Sequence, residues 1–306
     1  MQLLGPSVTS AHAGNVKARL LEIDAGLFVR NFDRAPFLIR HDLCDHPLFS
    51  LPRLLKLAAT LPASLVEYNA GELPLTQDPR LTPRNGLSVE DTICRIAECR
   101  SWMVLKNVEM DPQYGELLRE CLDEVRVHCE PRWPGMQQPE GFIFLTSPGS
   151  VTPYHMDPEH NFLMQIRGSK TIHQFNGRDR EVLSEQELEE YLSGGHRNLT
   201  FKEEFRSHSW VFELQPGLGL HFPATFPHYV QNGPEVSVSF SITFRTPDLE
   251  RRHMVHQFNA RMRQRGWSPA PVGRHPCRDA VKCFLFRLGR RMRRMLGRTG
   301  SPEHGY

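Results

Sequence analysis

The sequence predicts a mainly β protein, built on a small antiparallel barrel with flanking helices and followed by C-terminal helices. Short apolar runs separated by Gly- and Pro-containing turns fill residues 141–244, which is typical of paired strands. In the last of these runs, VSVSFSITF at 236–244, polar and apolar side chains alternate as they do on a barrel strand. After residue 249 the apolar residues recur at a spacing of three and four, which predicts helices.

Composition limits the class of protein. The 306 residues, 39% hydrophobic and 24% charged, suit one large soluble domain, or a domain with appendages, that can bury a core. The N-terminus lacks the basic start and long apolar stretch of a signal peptide, and no run approaches the roughly 20 apolar residues of a membrane span. Seven cysteines without regular spacing indicate a reducing, cytoplasmic location.

We expect three regions along the chain: a mixed α/β flanking region at 1–110, the barrel core at 111–248 and a basic helical extension at 249–306. A proline near the start of one helix and capping-type residues from Ser88 at the start of another favour two helix N-termini before the core. The elements predicted before residue 141 are strands at 35–40, 66–68 and 102–107, and helices at 51–61, from 88 onward and at 112–127.

The core is predicted to contain a β-hairpin at 161–175. Apolar runs flank the tight turn Arg167-Gly168-Ser169, and a glycine at such a turn favours a hairpin. The strands predicted after the hairpin lie at 210–217, 218–223, 227–234 and 236–244.

A pair of potential metal ligands, His155 and Asp157, lies just before this hairpin. Residues two apart on a strand face the same side, so both side chains can reach one metal ion. A third ligand, His228, follows Asp157 by 71 residues and would come from a strand that folds back beside the first. Two imidazoles and one carboxylate cap one face of an iron(II) ion and leave the other open. The alternative is that His155 is a surface histidine before a turn and that His228 is unrelated to it.

Lys170 starts the second strand of the hairpin. A charged side chain entering a largely apolar barrel is costly unless it meets an anion, and a substrate carboxylate would serve. The alternative is an edge-strand lysine that points to solvent. Thr152 and Asn161 flank the His-x-Asp pair and could donate hydrogen bonds to the same anion, or they could serve only the turn and the strand end.

The core resembles the JmjC branch of the cupin superfamily in the pattern TPxHxDxxxNFxxQIxGxK, which begins at Thr152 and ends at Lys170. It is most similar to the asparaginyl hydroxylase that inhibits hypoxia-inducible factor and to bacterial cupin-like proteins, closely over residues 141–176 and more loosely to 244. Those proteins are iron(II)- and 2-oxoglutarate-dependent oxygenases with a double-stranded β-helix, or jelly-roll, core. The resemblance therefore implies this fold, Fe(II), 2-oxoglutarate as co-substrate and dioxygen as oxidant.

The resemblance also implies roles for single residues. It makes His155, Asp157 and His228 the catalytic metal ligands. The residues implied in co-substrate binding are Lys170, on the distal carboxylate of 2-oxoglutarate, Thr152 beside it, Asn161 as the active-site amide, and Ser239, near the place of a second amide in the hydroxylase. Tyr68 and Tyr114 are the candidates for a tyrosine that helps to hold 2-oxoglutarate in the hydroxylase.

The C-terminal extension differs from the rest in charge. Residues 249–306 hold 14 Arg and Lys against 3 Asp and Glu, a net charge of +11, whereas residues 1–248 hold 23 against 32, a net of −9. A helix is predicted at 249–265, a break at 266–273 and an amphipathic helix at 279–298. The apolar face of the second helix is predicted to consist of Val281, Phe284, Leu285, Leu288, Met292, Met295 and Leu296.

Three interpretations of this second helix are open. In the first, which the resemblance implies, the helix packs on the catalytic domain or forms a homodimer through the C-terminal helices. In the second, it contacts an anionic membrane surface peripherally, as basic amphipathic helices do. Nucleic acid or another acidic partner is the least favoured, because no recognised DNA-reading motif is present.

The sequence leaves the substrate open. Related cores oxidise protein side chains, methyl-lysine and small molecules, and the basic tail adds a lipid as a hypothesis. The net charge of −9 before residue 249 disfavours a strongly acidic substrate. The alternative, from a different functional class, is a non-catalytic cupin that binds a metal or ligand and has a regulatory role. The presence of Lys170 together with all three metal ligands disfavours this alternative. A sugar-binding cupin or one with another metal is disfavoured by Asp157 in place of a second histidine.

Overall fold

A computed structural model describes residues 19–295 of the chain, which form two antiparallel sheets with helices around them. The strands within this range are β1 (Leu21–Glu22), β2 (Phe37–His41), β3 (Val66–Ala70), β4 (Ser101–Leu105), β5 (Gln137–Thr146), β6 (Val151–His155), β7 (His160–Arg167), β8 (Lys170–Gln174), β9 (Trp210–Leu214), β10 (Leu218–Phe222), β11 (His228–Asn232) and β12 (Ser237–Arg245). The helices are α1 (Ala25–Asn31), α2 (Leu51–Thr60), α3 (Val89–Cys94), α4 (Pro112–Cys129), α5 (Glu185–Leu192), α6 (Pro247–Arg263) and α7 (Pro276–Met295).

The two sheets form a jelly-roll sandwich. The larger sheet has the order β1-β2-β10-β7-β12-β5-β4-β3, and the smaller one has the order β6-β11-β8-β9. Leu163 and Leu220 of the larger sheet bury against Ile172 and Val230 of the smaller sheet. The sheets therefore pack face to face, and the mainly β fold predicted from the sequence is confirmed.

The flanking region extends the larger sheet rather than folding apart from it. Strand β2 pairs with β10 at one side, and β4 pairs with β5 at the other. Helices α1, α2 and α4 contribute to the largest apolar cluster, in which Phe28 and Tyr114 are fully buried with Phe162 and Phe240 of the sheet. The outer face of the larger sheet is thus covered, and the inner face is left for the site.

The turn at Gly168 is as tight as predicted, but the predicted hairpin at 161–175 is wrong. Strand β7 ends at Arg167 in the larger sheet and β8 begins at Lys170 in the smaller sheet, so the two residues between them carry the chain from one sheet to the other and the two strands do not pair. Gly168 has a φ of +67°, and a Cβ there would lie 2.4 Å from the carbonyl oxygen of Val236. The position therefore requires glycine both for its backbone conformation and for the close approach of the Val236 backbone just before β12.

Helix α5 was not predicted from the sequence, although it carries a start signal. The side chain of Ser184 accepts from the backbone N–H of Glu187, and the Glu187 side chain accepts from the backbone N–H of Ser184. This capping box lies in the long connection between β8 and β9. The helix packs against α6, and it supports the start of the C-terminal extension.

The C-terminal helices lie close to their predicted bounds, but the apolar face of α7 is not packed. Helix α7 contacts α6 through Cys283 and Phe286, which are both buried. The described residues of its predicted apolar face are exposed, so the helix packs on α6 by its other face. Leu296, the last residue of that predicted face, and residues 1–18, where a signal peptide was excluded, lie outside the described residues. Within 19–295 we find no helix that is both long enough and apolar enough to span a membrane.

Candidate active site

Two histidines face each other on neighbouring strands of the smaller sheet. His155 ends β6 and His228 begins β11, and the two residues are opposite each other in the antiparallel register, with ring centroids 4.1 Å apart. Each ring is held by a backbone carbonyl: the Nδ1 of His155 lies 2.7 Å from the oxygen of Pro153, and the Nδ1 of His228 lies 3.1 Å from that of Phe226. Because Nδ1–H donates in each bond, both Nε2 atoms keep their lone pairs for a metal.

Asp157 completes the set from the turn after β6. Its Oδ2 lies 3.8 Å from the Nε2 of His155 and 3.6 Å from that of His228. The three ligand atoms thus lie within 4.8 Å of one another, and the structure brings together the three residues proposed from the sequence. The third ligand does come from a strand that folds back beside the first.

The protonation states of these residues suit a metal. Burial, together with His228 and Arg197, lowers the pKa of His155 well below its usual value, and burial also lowers the pKa of His228. Burial alone would raise the pKa of Asp157, but His155 and the Arg197 guanidinium hold it below its usual value. Two neutral imidazoles and one carboxylate are the ligands of a divalent metal, and this donor set fits iron(II).

Arg197 is a site residue that the sequence analysis missed. Its Nη1 donates to the Oδ1 of Asp157 across 2.9 Å. One oxygen of that carboxylate therefore pairs with Arg197, while the other faces the two histidines. It lies in the connection between α5 and β9, far from the pattern that located the other residues. An isolated arginine in a connection carries no sequence signal, so only the fold could have placed it.

Lys170 lies on the wall of the same cavity. It is buried, and among residues 19–295 no carboxylate or hydrogen-bond partner contacts its ammonium group. Burial lowers the pKa of Lys170 to about 7. A buried ammonium without a partner is the group that a carboxylate of a small molecule would neutralise.

Thr152 and Asn161 also line the cavity. The side-chain oxygen of Asn161 accepts a hydrogen bond from the Oγ of Ser241 across 2.7 Å. With its oxygen engaged in this way, the amide presents its Nδ2 as a donor, and within the described residues Nδ2 has no protein acceptor. Ser241 was not proposed from the sequence as a site residue, although it lies on the polar face of β12.

The structure does not bring Ser239 to the cavity. Its Oγ donates to the side-chain oxygen of Gln165 across 2.7 Å, inside the sandwich. The amide nitrogen of Gln165 donates in turn to Ser237 and to the backbone of the turn at Gly168. Ser239 therefore supports the turn that carries Lys170, and the role in co-substrate binding assigned to it from the sequence needs this correction.

Neither candidate tyrosine reaches the cavity. Tyr114 is fully buried in α4, where its hydroxyl donates to the backbone oxygen of Leu48 across 2.6 Å. Tyr68 is half-buried on β3 and packs against the apolar cluster outside the larger sheet. Both are structural, and Trp102 is the large aromatic side chain that β4 contributes to the cavity.

Glu159 is a further cavity residue that was not proposed. It follows Asp157 by two positions, and its Oε1 forms an ion pair of 2.6 Å with Arg245 at the end of β12. Burial raises the pKa of Glu159 to about 7 in spite of this partner. Arg245 also contacts Glu250 in the first turn of α6 across 2.9 Å, so it connects the cavity to the C-terminal extension.

The cavity adjoins a cleft between the metal-ligand strand and residues 73–84. Thr152, His155 and Arg197 line both spaces. The segment 73–84 that lines this cleft is held in place by hydrogen bonds. Thr76 exchanges hydrogen bonds with Phe201 of the connection between α5 and β9, and the backbone oxygen of Gln77 accepts from Asn198. The cleft therefore lies beside the proposed metal ligand His155 on the side of residues 73–84.

Comparison with known proteins places this geometry in a family. Residues 89–250 match the family described as a cupin-like domain. Jumonji C domain-containing protein 5 of Drosophila melanogaster is 33% identical over 105 residues, which are 32% of this chain and 26% of that protein. The matched part is thus about a quarter of that relative.

Solved structures of similar fold include YcfD of Escherichia coli. One structure of YcfD aligns with 88% of this chain and 68% of its own chain, at 18% identity and a TM-score of 0.52. A second, described as a ribosomal oxygenase in complex with cobalt and 2-oxoglutarate, aligns with 88% and 67% at 16% identity and a TM-score of 0.50. These identities show a common fold and no more. Since the family match covers more than half of the 306 residues, this chain belongs to the cupin-like domain family, in the JmjC-like branch that the sequence pattern indicated.

Proposed function

We propose that this protein is an iron(II)- and 2-oxoglutarate-dependent dioxygenase that hydroxylates a protein side chain, a small molecule or a lipid. The observation that carries the proposal is the placement of His155, Asp157 and His228 within 4.8 Å of one another, on a cavity that also holds the unpaired, buried Lys170. A metal site alone would suit many cupins. A metal site beside an ammonium group without a partner suits one that also binds a small carboxylate.

Different residues of the cavity would bind the metal and the co-substrate in the proposed enzyme. His155, Asp157 and His228 would hold the metal at one face. Lys170 would bind the distal carboxylate of 2-oxoglutarate. The amide of Asn161 would donate a hydrogen bond to 2-oxoglutarate or to the substrate. When bound, iron(II) and 2-oxoglutarate would supply the oxidative chemistry, in which dioxygen converts the co-substrate to succinate and carbon dioxide and hydroxylates the substrate.

The cavity wall would exclude water from this chemistry. Apolar side chains from both sheets surround the polar groups, and water exclusion strengthens the charge pair at Lys170. The apolar side chains that line the cavity are Trp102, Phe142, Phe144, Leu163, Phe222 and Val230.

A reducing compartment agrees with the state of the cysteines. All seven lie within the described residues, and each is a free thiol. We propose a cytoplasmic location on this ground, because a secreted chain with seven cysteines would be expected to form disulfides.

The first test is succinate formation from 2-oxoglutarate by protein that is loaded with iron under anaerobic conditions and then exposed to oxygen. Wild type is expected to form succinate, and Asp157→Ala is expected to form none while it remains folded. Asp45→Ala is the matched control, because Asp45 is an exposed aspartate outside the cavity. Binding of 2-oxoglutarate to the manganese-loaded protein is measured beside it. Equal succinate formation by wild type and Asp157→Ala would overturn the ligand set. Absence of 2-oxoglutarate binding would overturn the co-substrate and favour the non-catalytic cupin.

A further inference from the structure

Helix α7 carries an apolar stripe that is exposed along its whole length. The described members of the stripe are Val281, Phe284, Leu285, Leu288, Met292 and Met295, and each has 43–80% of its surface exposed. They make up six of the thirteen large hydrophobic side chains that are exposed in residues 19–295. Single exposed apolar residues are normal on a surface, but a continuous row of six on one helix marks a surface that binds a partner.

The stripe lies on the side of α7 away from the protein. The opposite side packs on α6: Cys283 contacts Met254, Phe286 lies under the guanidinium of Arg261 at 4.5 Å, and Lys282 donates to Asn259. With 3.6 residues in each turn, Cys283 and Phe286 lie roughly half a turn from the centre of the stripe at Leu288. The helix is therefore anchored by one face and presents the other.

Exposed arginines border the stripe. At 3.6 residues per turn, Arg287 and Arg291 fall along one edge and Arg278 falls along the other, and all three are exposed. Asp279 is the sole acidic residue of α7, and it is engaged by the backbone N–H of Gly273 and by Lys282. The outer surface of the helix thus combines apolar side chains with uncompensated positive charge.

This combination distinguishes between possible partners. A second copy of the chain, docked stripe to stripe, would place two rows of arginines side by side without an acidic residue of α7 to pair with them. Nucleic acid would use the arginines but would leave six apolar side chains in water. An anionic lipid surface satisfies both features, because the apolar stripe enters the interface while the arginines contact the headgroups.

We propose that α7 docks this protein on an anionic membrane surface, with the apolar stripe at the level of the acyl chains and the bordering arginines at the phosphates. The contact is peripheral and depends on two components, apolar burial and charge attraction. It is independent of the proposed activity, because it rests on residues that lie outside the cavity.

The test is co-sedimentation of the full chain with vesicles of phosphatidylcholine alone and of phosphatidylcholine with one quarter phosphatidylglycerol. Each basic residue at an anionic surface adds about fivefold to binding, so the anionic vesicles are expected to bind at least about tenfold more tightly. Raising the salt concentration to about 0.5 M should remove most of that difference, because it shortens the screening length.

Two double variants, each with a matched control, separate the contribution of apolar burial from that of charge attraction. Phe284→Ser with Leu288→Ser should abolish binding, whereas Leu81→Ser with Val127→Ser, two apolar side chains exposed elsewhere by 74% and 71%, should leave it unchanged. Arg287→Gln with Arg291→Gln should weaken binding by about tenfold or more. Arg95→Gln with Arg100→Gln is its control, since these arginines are exposed on another surface.

Several outcomes would overturn the proposal. One is equal binding of both vesicle types, and another is binding that the α7 variants leave intact. A stable dimer in sedimentation velocity that the Phe284 and Leu288 variant dissociates, with no vesicle binding by wild type, would assign the stripe to a second copy instead. Binding of duplex DNA in place of vesicles at the same salt concentration would assign the arginines to nucleic acid.

Discussion

Arg197 and Asp157 form a hydrogen-bonded ion pair, with 2.9 Å between Nη1 and Oδ1, that leaves the Oδ2 of the aspartate as the oxygen closest to both histidines. The pair fixes the orientation of a carboxylate that lies outside a regular strand. Loss of a group that orients a metal ligand in this way typically lowers metal affinity by about 10- to 100-fold.

We expect Arg197→Gln to weaken binding of cobalt(II) or manganese(II) by about 10- to 100-fold, because the Asp157 carboxylate loses its orienting partner. Calorimetric titration of the metal-free protein measures the change. Arg53→Gln is the matched control, since Arg53 holds Asp111 in a similar pair of 2.7 Å away from the cavity, and its metal affinity should equal that of wild type. An unchanged affinity in Arg197→Gln would show that the carboxylate is oriented by other contacts.

Lys170→Met should have opposite effects on stability and on binding. Unfolding returns a buried ammonium group to water, so its removal should stabilise the protein by about 2–4 kcal/mol at pH 7. The same variant should lose 2-oxoglutarate binding, because a carboxylate would enter the cavity without a counter-charge. Thermal unfolding and 2-oxoglutarate titration of the same samples check both effects. A variant that is destabilised and still binds 2-oxoglutarate would contradict the role of Lys170.

The pH dependence of 2-oxoglutarate binding follows from the same group. In the free protein the pKa of Lys170 is lowered to about 7, whereas a bound carboxylate would raise it again. Affinity should therefore be constant below pH 7 and should fall above it, by up to about tenfold per pH unit, as the free protein loses the proton. For unfolding the sign is reversed: the penalty of burying the charge is complete below pH 7 and is relieved between pH 7 and the ordinary lysine value. Titrations between pH 6 and 9 would refute this if affinity rose across that range.

Ser241→Ala and Ser239→Ala form a matched pair on one strand. Ser241 holds the oxygen of Asn161, so its loss frees the amide to rotate and should raise the KM for 2-oxoglutarate several-fold. Ser239 contacts Gln165 instead, so its loss should lower the unfolding free energy by about 1 kcal/mol and leave the KM unchanged. The two KM values and two unfolding curves are measured side by side, and equal KM values would disprove the assignment of Asn161.

Gly168→Ala is expected to destabilise the protein by about 2 kcal/mol or more. The substitution adds a Cβ to a residue with φ of +67° and places it 2.4 Å from the oxygen of Val236. Denaturant unfolding measures the loss. As a comparison, Gly289→Ala on α7 has open space around the new Cβ and should be neutral or slightly stabilising.

The sequence predicted those parts of the site that lie on regular strands. His155, Lys170 and Asn161 could be placed because a strand fixes which side chains share a face. The sequence did not predict that the turn at Gly168 carries the chain from the larger sheet to the smaller one, because a tight turn between two apolar strands looks the same in a hairpin. The sequence pattern could not choose between Ser239 and Ser241, which lie on the same face of β12. The position of each serine along β12 decides which of them lines the cavity. That position relative to the cavity depends on how the two sheets are aligned.

The parts that the sequence did not predict depend on contacts between distant segments. Arg197 reaches Asp157 from an irregular connection, and no periodicity governs such a segment. For helix α7 the amphipathic pattern was predicted from the sequence, but such a pattern does not show which face of the helix is covered by other residues. Cys283 and Phe286 pack on α6, whereas the longer apolar face is exposed to solvent.

The unpaired ammonium of Lys170 makes the protein least stable when its cavity is empty. A ligand that binds only the folded state stabilises it by RT ln(1 + [L]/Kd), which is about 2.7 kcal/mol at a concentration one hundred times Kd. The proposed co-substrate would thus act as a chemical chaperone of the chain.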